Sequence, residues 1–396
     1  MKKSKITTLT LITLICVMLL SCLLIGCNAN GNFTYGTGTP SNETGNNGDY
    51  YLDTDNNALY QKTNGVWQIL SSGDYRNTQI LLPDTLFACV GQQIEIYFTN
   101  ILMLSQNDVF IRTATDMPDC RQLQDKWTGT PQKAGVYALV ISVYDKNWQF
   151  ISSKRISISV KDSSVTKPVT ALVIGDSTIY SGAETFKLLD LSRRDDFNLT
   201  LLGTMDRGDG NYCEGRSGWR ASHYTSCAEI DGVSNPFYNP NTETFDFDYY
   251  MTTQNYVKAD VVFIQLGIND IFHAMEDTLD EAVNLFITSM QTMVNSIRLY
   301  DKNTNVVINL VIPCCQDQTK FGQVYGVKTV WEYMRNMYRA NIALLNAFQN
   351  DEKTFISFAN AALDLDKNQT NDVHPAVEGY YQMATQMYYM MKNLVG

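Results

Sequence analysis

Histidine is scarce in this chain of 396 residues: His223, His273 and His374 are the only three. A zinc or iron centre built on several histidines is thereby nearly excluded, and a catalytic imidazole has three candidates. Positive charge is also short, with 30 basic residues against 41 acidic for a formal net charge of −11. Nucleic-acid binding needs Lys and Arg clustered against phosphates, and no such cluster stands outside the extreme N-terminus. The chain therefore reads as having no nucleic-acid partner. No Cys-x-x-C spacing occurs, which speaks against metal held by cysteine. Gly-x-Ser-x-Gly, the Walker loop and His-Glu-x-x-His are all missing, so an α/β-hydrolase elbow, nucleotide chemistry and zincin chemistry have no footing. No metal and no cofactor is required by what remains. With 44% hydrophobic and 18% charged residues, the composition is that of a folded protein.

Lys2, Lys3 and Lys5 precede an apolar run from Ile6 to Ile25, which closes on Leu24-Ile25-Gly26-Cys27. This end resembles the bacterial lipobox. The resemblance implies a signal peptide over residues 1–26 and a lipidated Cys27 as the first mature residue. An uncleaved anchor is the alternative, and in both cases the body lies outside the cytoplasm, in the bacterial cell envelope. Removing 1–26 takes away three lysines and no acid, so the surface has little attraction for anionic lipid and the attached lipid must hold it to the membrane. Beyond Cys16, Cys22 and Cys27 six cysteines remain, and Cys89–Cys120 and Cys213–Cys227 are conceivable disulfides. Plain buried thiols are the other reading.

Residues 27–48, rich in Gly, Asn, Thr and Ser, read as a flexible linker. Residues 49–72 carry three short apolar runs split by Asp55-Asn56-Asn57 and Asn64-Gly65, which predicts a small β-meander. Residues 78–162 keep a strand period, as in Ile94 to Phe98, Val136 to Val143 and Ile156 to Val160. This part resembles an immunoglobulin-like β-sandwich without the Cys…Trp…Cys spacing. From 169 to 396 strands and helices alternate. Ala171–Ile174, Val261–Leu266 and Val306–Ile312 are buried strands, and Val283, Phe286, Met290, Met293, Val294 and Ile297 form one helical face. That alternation predicts an α/β domain, a parallel sheet covered on both sides, with ligands at the carboxyl ends of the strands.

Four segments fall near such ends: Gly175-Asp176-Ser177, Glu214-Gly215-Arg216-Ser217-Gly218-Trp219, Gly267-Ile268-Asn269-Asp270 and Asn371-Asp372-Val373-His374. Acyl transfer needs a nucleophile, a base beside it and donors aimed at an oxyanion. Ser177 offers the hydroxyl, and His374, in a loop before the last helix, offers the base. Taken in order, the four segments resemble the SGNH hydrolases, the GDSL esterase and lipase family, over roughly residues 169–396. The resemblance implies a flavodoxin-like three-layer α/β/α domain and an oxyanion hole from Ser177, Gly215 and Asn269, with Gly218 the rival glycine. The family's aspartate usually stands three residues before the histidine, where this chain has Asn371. Asp372, two before His374, is expected to take the role, with a Ser-His dyad as the alternative.

The aromatics between Tyr212 and Tyr250 either stack on sugar rings or pack a core, and Trp219 and His223 are candidate substrate contacts. The Glu214–Trp219 segment with Asn235-Pro236-Phe237 resembles members from carbohydrate-active systems. That implies a serine esterase removing acetyl groups from an acylated carbohydrate. A lysophospholipase or thioesterase, and an inactive glycan-binding lipoprotein, are the competing readings.

Overall fold

The computed structural model describes residues 31–53, 58–72, 79–104, 108–162, 164, 167–349 and 351–396. The expected signal peptide and Cys27 lie outside the described residues. The chain forms two compact units that divide between Asn77 and Thr78.

In the first unit β1 (Phe33–Gly36) runs parallel to β2 (Tyr50–Asp53), and β3 (Ala58–Thr63) and β4 (Val66–Ser72) follow antiparallel. Asn64 and Gly65 take φ of 55° and 82°, the left-handed pair that a two-residue hairpin loop demands. Tyr51 packs against Tyr60 and Trp67 at ring separations of 6.5 and 6.0 Å. The linker expected at 27–48 needs correction over its described part. Trp67 Nε1 donates to Ser41 O at 3.1 Å, Trp67 N to Asn42 Oδ1 at 2.9 Å, and buried Lys62 Nζ to Asn42 O at 2.9 Å. A segment poor in aliphatic residues is thus fixed by polar groups reaching from the strands, a cross-chain effect that composition does not reveal.

The second unit begins with β5 (Thr85–Cys89), β6 (Ile94–Tyr97), β7 (Val109–Thr115), β8 (Cys120–Gln122), β9 (Lys126–Gly129), β10 (Gly135–Asp145) and β11 (Phe150–Lys161). They make two sheets, ordered β5-β11-β10-β7 and β6-β9-β8. Leu139, Ile141 and Val143 of β10 and Ile156, Ile158 and Val160 of β11 are buried at alternate positions, the period-two pattern of a sheet with one covered face.

The remainder is built on β12 (Val169–Gly175), β13 (Leu199–Leu202), β14 (Met205–Asp206), β15 (Tyr212–Gly215), β16 (Val261–Gln265), β17 (Asn305–Asn309) and β18 (Thr354–Ser357). β12 lies between β16 and an edge shared by two strands. β13 pairs its start, Val169 to Leu172, and β15 pairs its end, Ile174 and Gly175. β17 and β18 complete the sheet beyond β16, all parallel, while β14 pairs β15 antiparallel. The order second-first-third-fourth-fifth is flavodoxin-like, and its topological switch point falls between β12 and β16. Its helices include α1 (Ser177–Tyr180), α2 (Ala183–Arg194), α3 (Ile268–Ile271), α4 (Leu279–Tyr300), α5 (Gln318–Tyr325), α6 (Val330–Phe348) and α7 (Val377–Val395). α2 packs with α7, and α4 with α3 and α6.

β5–β11 and this α/β body share one hydrophobic core. Buried polar side chains bridge them. Asn393 Nδ2 donates to Ala88 O at 2.8 Å and Ser159 O at 2.9 Å, Gln92 Nε2 to Gln386 Oε1 at 2.7 Å, and Asn100 Nδ2 to Asn360 O at 2.9 Å and Leu363 O at 2.7 Å. All six described cysteines are free thiols, so neither conceivable disulfide forms. Cys89 and Cys213 are wholly buried, and burial pushes the Cys89 thiol up to about 11.

The bridging asparagines generate a stability prediction. Asn393→Leu keeps the branched outline, with greater bulk, and takes a donor from the Ala88 and Ser159 carbonyls, at about 1–3 kcal/mol for each. Chemical denaturation should show a lower midpoint for the whole 79–396 unit. An unchanged midpoint would mean that these carbonyls find other partners.

Candidate active site

Val169–Gly175 is a buried parallel strand, and the chain leaves it through a turn with almost no room. A Cβ on Gly175 would come within 2.4 Å of Ile179 Cγ1 and 2.8 Å of Gln265 O. Asp176 caps α1, its Oδ1 accepting from Thr178 N at 2.9 Å and Thr178 Oγ1 at 2.8 Å. Ser177 is thereby the first residue of a short helix at the carboxyl end of β12, with its hydroxyl half-exposed.

His374 meets it from the far end of the chain. Ser177 Oγ and His374 Nε2 are 2.8 Å apart. His374 Nδ1 lies 3.2 Å from Asp372 Oδ2, while Asp372 Oδ1 accepts the His374 backbone N–H at 2.6 Å and lies 2.7 Å from Thr370 Oγ1. A carboxylate two residues before the histidine therefore makes an Asx-type turn with one oxygen and holds the ring with the other. Asn371 is exposed. With the Nδ1 proton facing Asp372, Nε2 is left to accept the Ser177 hydroxyl proton.

The electrostatics follow from this line. The Asp372 hydrogen bond raises the His374 pKa above its ordinary value, with burial opposing and the charges of Asp372 and Asp176 adding. Burial pushes the Asp372 carboxyl up, but hydrogen bonds from His374 and Thr370 outweigh it and hold the group at about 2.

The second and third segments buttress the site. Gly215 ends β15, opposite Gly175, and a Cβ there would lie 2.4 Å from Tyr180 N. Its missing side chain is required by the packing of α1, not by an approaching substrate. Gly218 instead sits in an exposed turn at φ 77°. Asn269, on α3, donates through Nδ2 to Trp219 O at 3.0 Å. Asp270 accepts from Ala221 N at 3.0 Å, and burial pushes its carboxyl up to about 7.

Trp219 as a substrate contact is corrected: the residue is 3% exposed and its ring packs 4.9 Å from that of Tyr224. His223 is half-buried, its Nδ1 accepting from Arg220 N at 3.3 Å. Phe237, Phe245, Phe247 and Tyr250 settle as core, with Phe237 stacked on Tyr250 at 4.1 Å and on Phe245 at 4.7 Å, while Tyr212, Tyr238 and Tyr249 are half-buried. His273 is exposed.

Sequence reasoning passed over the polar groups beneath these segments. Glu214 and Arg216 form a buried ion pair at 2.7 Å, and Glu214 also accepts from Tyr250 Oη at 2.9 Å. The signal available was a charged pair inside a stretch otherwise made of glycine and aromatic residues. Among the described residues no group of three or more His, Cys, Asp or Glu is arranged to hold a metal.

Protonation of His374 blocks its use as a base, so the acid limb of a rate profile should lie above the ordinary histidine value. Asp372→Asn should move that limb to lower pH and cost up to ~10⁴-fold in rate. Asn371→Ala should leave both nearly unchanged. A wild-type rate and an unmoved limb in Asp372→Asn would remove the carboxylate from the mechanism.

The family model described as GDSL-like Lipase/Acylhydrolase matches residues 172–387. A carbohydrate esterase family 3 structure from Talaromyces cellulolyticus is 18% identical, covering 55% of this chain and 94% of its own, with a TM-score of 0.35. A carbohydrate acetylesterase family member from Sinorhizobium meliloti is 15% identical over 58% and 99%, at 0.37. A putative GDSL-like lipase from Parabacteroides merdae is 15% identical over 59% and 100%, at 0.34. Collagen-like protein 1 of Acanthamoeba polyphaga mimivirus is 55% identical over 40 residues, which are 10% of this chain and 4% of that protein. The family match spans more than half of the 396 residues and contains the nucleophile turn, both buttressing segments and the histidine loop. The chain belongs to the GDSL-like lipase and acylhydrolase family.

Proposed function

We propose that the protein is a serine ester hydrolase working through an acyl-enzyme, and that its substrate is an acetylated polysaccharide or oligosaccharide. The observation that carries the hydrolase reading is the line Asp372–His374–Ser177, with contacts of 3.2 and 2.8 Å at the carboxyl end of β12. In this reading Ser177 Oγ attacks the ester carbonyl carbon while its proton passes to His374 Nε2. The imidazolium then protonates the departing alcohol. A water, deprotonated by the same nitrogen, attacks the acyl carbonyl; the bond from the acyl carbon to Ser177 Oγ breaks, His374 returns the proton to that oxygen, and acetate leaves. Asp372 stabilises the imidazolium each time it forms.

The oxyanion is received by the Ser177 N–H, a glycine N–H from the 215–218 loop and Asn269 Nδ2. The Asn269 amide carries two hydrogens and spends one on Trp219 O, leaving one for substrate. The exposed turn favours Gly218 over the buried Gly215 first expected. The sequence likeness of the Glu214–Trp219 segment to carbohydrate-active members supports the choice of an acetylated sugar. Asp372 beside the ring weighs against an inactive domain, since Asn371 was the single feature favouring one.

The sheets of residues 79–162 read as an immunoglobulin-like sandwich and that of 33–72 as a small β-module. Lipidation of Cys27, with attachment in the bacterial cell envelope, completes the reading on the strength of Leu24-Ile25-Gly26-Cys27.

Acetate release from acetylated oligosaccharides, run beside aryl esters of two to eight acyl carbons, tests the substrate class. The expected order is acetyl fastest, with a steep fall as the acyl chain lengthens. Preference for eight carbons would turn the reading to a lysophospholipase or thioesterase. Ser177→Ala should lose ~10⁴–10⁶-fold, and retention of more than about a hundredth of the rate would dismiss the nucleophile. Cys27→Ser should stop incorporation of labelled fatty acid; continued labelling would overturn the lipid anchor.

A further inference from the structure

Val261–Leu266 is buried along its whole length, yet one polar residue, Gln265, interrupts the apolar run. Its carboxamide is fully engaged. Gln265 Nε2 donates to Thr178 Oγ1 at 2.9 Å and to Glu184 Oε1 at 2.9 Å, and Gln265 Oε1 accepts from Asn309 Nδ2 at 2.6 Å. Asn309 Nδ2 also lies 3.3 Å from Met387 Sδ of α7. Thr178 and Glu184 are wholly buried and Asp176 is 1% exposed. The described contacts of Asp176, Thr178, Glu184, Gln265 and Asn309 include no ion pair with a lysine or arginine.

The Gln265 amide as oriented sets the directions of these bonds. Both amide hydrogens of Gln265 are spent, one of them on a lone pair of the Thr178 hydroxyl. That hydroxyl has a single hydrogen, and Asp176 Oδ1, 2.8 Å away, accepts it. Asp176 is the cap of α1, and Ser177 stands between Asp176 and Thr178. Serine-to-imidazole geometry therefore depends on a chain of directed bonds that starts two strands away.

We propose that Gln265, Glu184 and Thr178 are positioning residues for the nucleophile, a buried relay that commits the Thr178 hydroxyl to Asp176 and so fixes the turn presenting Ser177 to His374. The inference rests on Ser177 being the nucleophile. Glu184 works in this relay as an acceptor through Oε1 only. Burial, with the nearby Asp176 charge adding, pushes its carboxyl up to about 8 against the Gln265 hydrogen bond, so burial favours the uncharged acid. Glutamine is then its close substitute, and leucine, of similar bulk, is not.

Four substitutions, Thr178→Val, Thr178→Ser, Glu184→Leu and Glu184→Gln, test the relay in the full-length protein. The readouts are kcat and KM on an aryl acetate, the thermal midpoint, and the rate at which a fluorophosphonate labels Ser177. In that labelling the Ser177 oxygen bonds phosphorus, fluoride leaves and His374 takes the proton. Thr178→Val and Glu184→Leu should lower kcat and labelling together by about 10- to 100-fold, the cost of a small misplacement, with KM within about twofold. Thr178→Ser and Glu184→Gln should restore both rates. Should Thr178→Val not fold, Glu184→Leu carries the test from the other end. A purely structural network would lower the thermal midpoint and leave the rates of the folded protein alone, and that result overturns the proposal. Labelling of wild-type Ser177 with an indifferent Thr178→Val removes the relay only. A wild-type protein that does not label at Ser177 removes the catalytic reading and the relay with it.

Discussion

The close approach of α1 to the sheet is the constraint on which the site depends. The helix carrying Ser177 starts directly on the end of β12, and two glycines make this possible. Gly175 stands against Ile179 and the Gln265 carbonyl, and Gly215 stands against the Tyr180 backbone. A methyl group at either position would push the nucleophile turn off the strand ends, because a close-packed interior has no slack to absorb it. Glycine here serves close approach more than loop flexibility.

That tight turn has an electrostatic consequence. Asp176, Glu184 and Glu214 are removed from water around the strand ends, and Asp270 is half-buried beside them. Among the described residues, Glu214 alone of these has a cation in contact, Arg216 at 2.7 Å. Burial pushes Asp176 up to about 6 and Asp270 to about 7, and each is held by neutral donors: the Thr178 amide and hydroxyl, and the Ala221 amide. Asp372 differs because it faces the imidazole and accepts charge-favouring hydrogen bonds, so it stays ionised well below its buried neighbours. Carboxyls of one residue type thus divide into a charged one beside His374 and uncharged or easily neutralised ones beneath Ser177.

The β-rich segment of residues 79–162 belongs to the same physical object. Asn393, near the end of α7, reaches Ala88 and Ser159, and Tyr97 Oη donates to Asp364 Oδ2 at 3.0 Å, eight residues before Asp372. The loop holding the acid and the base is therefore anchored from both sides, by Cys315 N donating to Asp372 O at 2.9 Å and by the strands behind Asp364.

The sequence by itself determined the class of the large domain, since buried strands alternating with one-sided helices leave a covered parallel sheet as the arrangement that buries every apolar face. It also determined the chemistry on offer: with three histidines in the chain, one of them two residues after an aspartate and just before the last helix, the pairing of Ser177 with His374 was legible from residue types and strand ends. Local pattern could not decide which side chain within the histidine loop turns inward, because Asn371 and Asp372 are adjacent and both polar. The turn closed by Asp372 Oδ1 on the His374 amide decided it. Nor could it decide between sugar contact and core for Trp219 and Phe237, since an aromatic ring suits both until its neighbours are known. The relay through Gln265 lay beyond sequence altogether. Thr178, Glu184, Gln265 and Asn309 sit on four different elements, and only the folding of β12, β16 and β17 side by side brings their polar atoms within bonding distance.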